Sequence, residues 1–329
     1  MPAPQHPIAA SLPGSDTGKV VSARNAVRLI RDGDTVARLG SVSAAANELY
    51  VTHSAVSQQI KALEESLGVK LLNRVGRGVA LTVAGRELAA GANEALCALA
   101  RTASQVRRRA NPNRLTITTL PSFAACWLTP RISRFLEQAP EAQINIVPTS
   151  NLLDYAREGI DVGIRFGLRG DGEGLVAERL MSDEMLVVAS PAYLANHRID
   201  EARDLANCTL LRSDGEGWSR SGETWSDWFK AADLDWGEPE SGLFFFDFAL
   251  ALTWAENGHG VALTRRSLAD EALREGRLRH ILDVTLPDDR AYWFVTQQGI
   301  ELTPLVSQFR AWMFEEAAAM NLVTCRAAQ

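Results

Sequence analysis

The chain has 329 residues, 46% hydrophobic and 22% charged, with a net charge of −6. That is an ordinary globular composition at a length that favours more than one domain, and no apolar run approaches the roughly 20 residues of a membrane helix. The proline-bearing stretch 1–19 lacks the basic and apolar regions of a secretory signal, and 1–23 reads as a disordered extension. Four cysteines, Cys97, Cys126, Cys208 and Cys325, have neither zinc-knuckle nor CxxC spacing, which points to free thiols in a reducing, cytoplasmic compartment. The charge is unevenly divided. Residues 1–113 carry 14 Lys/Arg against 8 Asp/Glu, and the remainder carries 20 against 32. A basic third joined to an acidic remainder suggests one part for a polyanion and another for a different ligand.

The first informative stretch runs from Ser41 to Leu81. Ser43 is placed to cap a short helix, and Tyr50-Val51-Thr52 breaks the rhythm. Thr52 or Ser54 then caps a second helix with Val56, Ile60, Leu63 and Leu67 on its apolar face, ended by Gly68 at C′. The opposite face presents Ser54, Gln58, Lys61 and Glu65. Two short helices with small and amide side chains outward describe a helix-turn-helix, in which Ser54, Ser57 and Gln58 face a major groove and Lys61 sits nearer a phosphate. The helical pattern alone fits an ordinary αα-hairpin with a solvated face equally well. The next segment favours DNA. Leu71–Leu81 reads as two short strands around Gly76-Arg77-Gly78, which places Arg74 and Arg77 on a wing beside the second helix.

Thr82 caps a long helix reaching about Arg109, some 42 Å at about 1.5 Å per residue. Leu88, Ala92, Ala95, Leu99, Thr102 and Val106 recur at spacings of 4, 3, 4, 3 and 4. This short heptad seam suits a dimer contact better than packing within one subunit. From Arg114 onward, strands and helices alternate, with strands expected at Leu115–Leu120, Ile144–Val147, Asp161–Phe166, Met185–Ala189, Thr209–Leu211, Gly260–Leu263 and Tyr292–Thr296. A helix opening at Pro121-Ser122 carries Trp127, Leu128, Ile132, Phe135 and Leu136 on one side. Such α/β alternation implies open, mostly parallel sheets with ligands at the strand ends.

No catalytic set emerges. The five histidines are scattered, no HExxH or GxSxG occurs, and the two Asp-Gly-Glu-Gly tetrapeptides read as loops. No metal or cofactor is expected. Trp218, Trp225, Trp228 and Trp236, followed by Phe244, Phe245, Phe246 and Phe248, suit a core with a few rim residues.

The run Val51-Thr52-His53-Ser54-Ala55-Val56-Ser57-Gln58-Gln59-Ile60-Lys61-Ala62-Leu63-Glu64 carries a family resemblance. With Leu67-Gly68, Arg77-Gly78, Leu81-Thr82 and Ala84-Gly85, it resembles a LysR-type transcriptional regulator. Leu120-Pro121-Ser122-Phe123-Ala124, Trp127-Leu128 and Ile164-Arg165-Phe166-Gly167 resemble the branch of the glycine-cleavage and AmpC β-lactamase regulators. The resemblance implies an α-rich, winged helix-turn-helix domain over 24–82, a linker and dimerisation helix over 83–110, and a two-lobed α/β effector domain over 111–329 like a periplasmic binding protein. Lobe I spans about 114–180 plus 287–329, and lobe II about 181–286.

Its DNA contacts would be Ser43, Thr52, His53, Ser54, Ser57, Gln58, Lys61, Arg74 and Arg77. Its effector would lie between the lobes against Ser122, Phe123, Thr149, Asn151, Arg165 and Phe166 from lobe I, and Arg212, Phe246, Asp247 and Phe248 from lobe II. Ser122 at a helix N-terminus and Arg165 and Arg212 as guanidinium forks favour a carboxylate-bearing effector, and Asp247 could take its amine. A mutual Arg–Asp bridge is the alternative. The implied partners are operator DNA, the effector, a second copy through the linker helix and a tetramer beyond that, RNA polymerase for an activator, and no membrane. One departure stands out: Gly33 occupies the place of the family's buried aromatic residue in the first helix.

Overall fold

The computed structural model describes residues 52–75, 78–168, 172, 174–213, 224–239 and 242–327. Ser43, Arg77, Trp218 and the first helix around Gly33 lie outside the described residues. The chain divides between Ala100 and Arg101 into two units.

In the first unit, α1 spans His53–Leu67, so Thr52 occupies the N-cap position. Ile60 and Leu63 of the predicted stripe are buried, whereas Leu67 is 42% exposed. Gly68, at φ 71°, turns the chain there, and Leu71 rather than Leu67 packs on Leu63. Strands β1 (Leu72–Val75) and β2 (Gly78–Leu81) pair antiparallel, with Val75 opposite Gly78. Thr82 accepts a hydrogen bond from Gly85 N (2.9 Å) and donates one to Lys70 O (2.7 Å), which starts α2 (Val83–Ala110) beneath the wing. Gly85 is required at that point because a Cβ would collide with Leu71 O. Along the predicted seam of α2, Leu88, Ala95, Leu99, Thr102 and Val106 are exposed and Ala92 is buried.

Glu64 ties α1 to the wing. Its side chain is 9% exposed and accepts from Lys70 Nζ (2.6 Å), Leu71 N (2.9 Å) and Leu72 N (3.3 Å). Burial works to raise its pKa, but the ammonium and the two N–H groups outweigh that and hold the carboxyl below its ordinary value.

The second unit is a two-lobed α/β domain. Its strands are β3 (Arg114–Thr119), β4 (Gln143–Pro148), β5 (Val162–Gly167), β6 (Leu175–Ala189), β7 (Leu210–Ser213), β8 (Phe244–Phe245), β9 (Val261–Arg265), β10 (Arg279–His280) and β11 (Leu286–Gln297). The order is β4-β3-β5-β11-β6-β9-β7-β8, with β10 also on β6. Parallel trios stand at both ends, β4-β3-β5 in one lobe and β9-β7-β8 in the other. Between them β6 and β11 run antiparallel to each other, and β11 is antiparallel to β5 and β6 to β9. The sheet is therefore mixed rather than mostly parallel. Both long strands extend well beyond their predicted ends; the outer half of β6 mixes half-buried and exposed positions instead of forming an apolar run.

Helices cover the faces: α3 (Pro121–Phe123) leads through a π turn (Ala124–Leu128) into α4 (Thr129–Gln138). The others that matter below are α5 (Tyr155–Glu158), α6 (Trp225–Ala231), α7 (Phe248–Glu256), α8 (Arg266–Arg274) and α9 (Pro304–Ala327). The buried stripe runs from Trp127 and Leu128 in the π turn to Arg131 and Phe135 in α4, while Leu136 is exposed. Arg131, 2% exposed, is compensated by Asp270 and Glu271 of α8 and by Glu316 of α9. A buried arginine in the stripe is tolerable only with such pairing. Trp225 and Trp228 are both core, donating their indole N–H groups to Leu211 O (3.1 Å) and Val284 O (2.9 Å).

Because the Glu64 carboxyl is held below the ordinary glutamate range, its contribution is complete at neutral pH and is lost as pH falls through the lower folded value. Glu64→Gln should destabilise the first unit by about 1–3 kcal/mol at pH 7, with wild type and variant converging in acid. Thermal denaturation at neutral and acidic pH measures this; a gap that stays constant with pH contradicts it.

Candidate DNA-binding and effector sites

The outward face of α1 is polar and accessible. Ser54, Gln58 and Lys61 are exposed and Ser57 is half-buried. Thr52 Oγ1 and Ser54 Oγ share a hydrogen bond of 3.1 Å, and Lys61 lies 3.8 Å from Glu65 one turn on. An exposed ion pair of that kind is weak, so Lys61 can exchange Glu65 for a phosphate at little cost. Arg74 is exposed on β1. The His53 side chain, like Ser43 and Arg77, lies outside the described residues.

In the second unit, Arg165 is the best-ordered polar candidate. Half-buried at the end of β5, it donates to Thr149 O (2.7 Å) and Thr118 Oγ1 (2.8 Å). Tyr155 also hydrogen-bonds to it; burial drives the Tyr155 pKa up, and the neighbouring guanidinium only partly offsets that. Gly163 makes this arrangement possible, since a Cβ there would collide with the Tyr155 hydroxyl. No carboxylate among the described residues forms an ion pair with Arg165. Thr149 is half-buried and accepts from Asn151 N (3.1 Å), and Asn151 is exposed at the lobe's edge.

The aromatic candidates divide. Phe166 is half-buried, with Arg265 Cζ 3.5 Å and Arg290 Cζ 5.3 Å from its ring centroid and Tyr292 edge-on at 4.8 Å. Phe246 is 72% exposed and packs edge-on against Phe244 at 5.2 Å. Three of the candidates are buried. Phe123, 0% exposed, stacks on Trp127 and lies tilted against Tyr292, and Phe248 is 3% exposed; both rings belong to the core. Ser122 is likewise buried, at 2%.

The polar candidates of lobe II are already engaged. Arg212 pairs with Glu238 at 3.6 Å and lies over the Phe244 ring at 5.1 Å. Asp247 caps α7 by accepting from Ala249 N at 2.6 Å. Neither the Arg212–Asp247 bridge nor an unengaged Asp247 carboxylate is present. The expected ten residues therefore comprise an accessible group around Arg165 and Phe166, an exposed group around Phe246, and core rings behind them.

Sequence reasoning missed the charged cluster beside Phe166. Arg265, 5% exposed, lies 3.3 Å from Asp288, whose carboxylate also receives Arg290 through Nε (2.7 Å) and Nη2 (2.6 Å). Burial opposes ionisation of Asp288, yet the two arginines hold its pKa below normal. Asp183 accepts from Ser267 N (3.1 Å) and Ser267 Oγ (2.5 Å), and burial pushes its pKa up despite nearby Arg265. The only local signals were the Arg265-Arg266 doublet after a strand and the Asp288-Asp289-Arg290 run.

An accessible polar helix beside a hairpin, followed by a two-lobed α/β domain, fits a DNA-binding regulator with an effector-binding domain. The comparisons agree. The model described as "Bacterial regulatory helix-turn-helix protein, lysR family" matches residues 27–86, and the "LysR substrate binding domain" matches residues 108–318. The chain belongs to the LysR family of transcriptional regulators.

Among its relatives, the glycine cleavage system transcriptional activator of Escherichia coli is 32% identical over 296 residues, covering 90% of this chain and 94% of that protein. The AhcY transcriptional activator HvrB of Rhodobacter capsulatus is 32% identical, covering 84% and 92%. The effector domain of the regulator AmpR of Pseudomonas aeruginosa superposes with a TM-score of 0.51 at 29% identity, covering 63% of this chain and 96% of that one.

Gln58→Ala should reduce discrimination between operator and random duplex by roughly tenfold, the worth of one good bidentate base contact. Parallel binding titrations check this; equal losses on both DNAs would assign Gln58 to the backbone instead.

Proposed function

We propose that this regulator is switched by a small carboxylate-bearing effector, an amino acid or peptide-like molecule, held between the two lobes with its carboxylate on Arg165. One observation carries the reading. Arg165 is a half-buried guanidinium, fixed by Thr118 and Thr149, with no carboxylate partner among the described residues. A cation oriented in advance and left without a counter-ion favours an anionic ligand. Phe166 supplies an adjacent ring for the ligand's apolar part. Thr149 and Asn151 add polar contacts at the rim, and Arg212 joins by exchanging Glu238. Ser122, Phe123 and Phe248 support the wall from the core. The name of one relative, the glycine cleavage system transcriptional activator, fits an amino-acid signal.

On this reading, α1 enters the major groove, with Thr52, His53, Ser54, Ser57 and Gln58 toward the bases. Ser43, Lys61, Arg74 and Arg77 meet the backbone. The exposed seam Leu88, Leu99 and Val106 of α2 pairs two subunits, two such dimers form a tetramer, and RNA polymerase is the further partner at activated promoters. Such a protein works beside the chromosome, in the cytoplasm.

Calorimetric titration of the full chain with glycine, alanine and dialanine, against their amidated forms, tests the proposal. Arg165→Gln should weaken the best free-carboxylate ligand by roughly ten- to a hundredfold and leave operator affinity without ligand intact. Equal binding of acid and amide, or an indifferent Arg165→Gln, contradicts it.

A further inference from the structure

A separate cavity of about 270 Å³ opens at the base of lobe I, where the last turn of α2 meets β3 and α5. Arg107, Arg108, Arg114 and Arg157 line it, with Glu158 and Asp161 as its acids. Asp161 is fully used. Its Oδ1 receives Arg108 Nε at 2.6 Å and its Oδ2 receives Thr116 N at 2.8 Å. Arg108 also reaches Ile160 O at 3.3 Å. Two of the remaining guanidiniums have no acid partner among the described residues, and the third has a loose one. Arg107 and Arg114 are exposed with no ion-pair partner among the described residues, and Arg157 lies 4.0 Å from Asp154 in an open pair. Gly159, at φ 69°, brings the chain past Arg107 without a side chain; a Cβ there would come within 3.7 Å of Arg107 Nη2.

Four arginines against the two lining carboxylates, with Asp154 beside Arg157, leave an excess of positive charge around the cavity. Guanidinium groups gathered around one concavity repel each other, and a doubly charged ligand relieves that repulsion while accepting several forked hydrogen bonds. The volume lies just under the roughly 300–1,000 Å³ of drug-sized sites, which suits a small metabolite.

We propose that this cavity is a second ligand site, for a small organic dianion of the phosphate-monoester or dicarboxylate class. Arg107 and Arg114 grip the charge, Arg157 closes over it, and the Arg108–Asp161 pair forms the fixed wall. Because Arg107 and Arg108 belong to the last turn of α2, the bound dianion stiffens the joint between that turn and lobe I. The site is independent of the ligand proposed for Arg165.

The test uses the full chain, with inorganic phosphate and succinate as probes and chloride at matched ionic strength as control, read by thermal shift and calorimetry. At least one dianion should bind saturably and raise the melting temperature where chloride does not. The double variant R107Q/R114Q should weaken that binding by roughly tenfold or more, whereas Arg165→Gln should not. Arg114→Gln alone, at an exposed strand end, covers the case in which the double variant fails to fold, and should weaken binding in the same direction. A response that follows ionic strength only, or binding lost in Arg165→Gln and kept in R107Q/R114Q, overturns the proposal. So does absent dianion binding with weakened DNA affinity in R107Q/R114Q, which would make these arginines DNA-backbone contacts.

Discussion

The antiparallel pairing of two long strands, β6 and β11, is the constraint from which the effector domain takes its arrangement. Arg165 and Phe166 stand opposite Trp293 and Tyr292 on β11, and Arg265 stands opposite Met185 on β6. The groups that face each other across the lobes are thus set by hydrogen-bond ladders on either side of one strand pair. That pairing is broken twice. Between Pro287 and Ala291, β11 carries more residues than β6 opposite it, and the ladder shifts again at Tyr292 and Trp293. A bulge bends a strand and re-aims side chains, and the residues of the first break include Asp288 and Arg290, which gather at Phe166 and Arg265.

The distribution of compensated and uncompensated charge separates structural arginines from those proposed to meet a ligand. Arg131 is buried among Asp270, Glu271 and Glu316, and Arg265 against Asp288. Both carry their counter-charge with them, as burial demands. Arg165 is held by neutral oxygens alone, and Arg107 and Arg114 by nothing among the described residues. The cost of orienting Arg165 has been met in folding, while its charge remains available to a ligand. That contrast is sharper than any count of positive residues, because the acidic remainder of the chain is on average negative.

Elements whose signal is local were legible in the sequence. Gly68 ends α1 in the left-handed conformation, Thr82 caps α2 through Gly85 N, and β1 pairs antiparallel with β2. What escaped depends on distant partners. Arg131 is buried because Asp270 lies beside it in space, 139 residues away in sequence. The outer half of β6 carries Glu178, which Arg310 of α9 neutralises, so no apolar run announces that strand. Tyr155 reaches Arg165 only because Gly163 leaves room, a steric fact that neither residue declares alone. Among the candidate site residues, Arg165 and Phe166 could be placed from a strand followed by glycine. The burial of Phe123 and Phe248 could not, since an aromatic residue near a strand end serves equally as wall or as core.

Sequence-specific DNA recognition by α1 and the wing is the property on which the regulator's function depends. A salt-titrated mobility shift on the DNA upstream of the protein's own gene, with random duplex as control, addresses it most directly. The account predicts a protected site bound at least roughly a thousandfold more tightly than random DNA, with both affinities falling as salt rises. Equal affinity for the two DNAs at every salt concentration, from a chain shown to be folded, would contradict it.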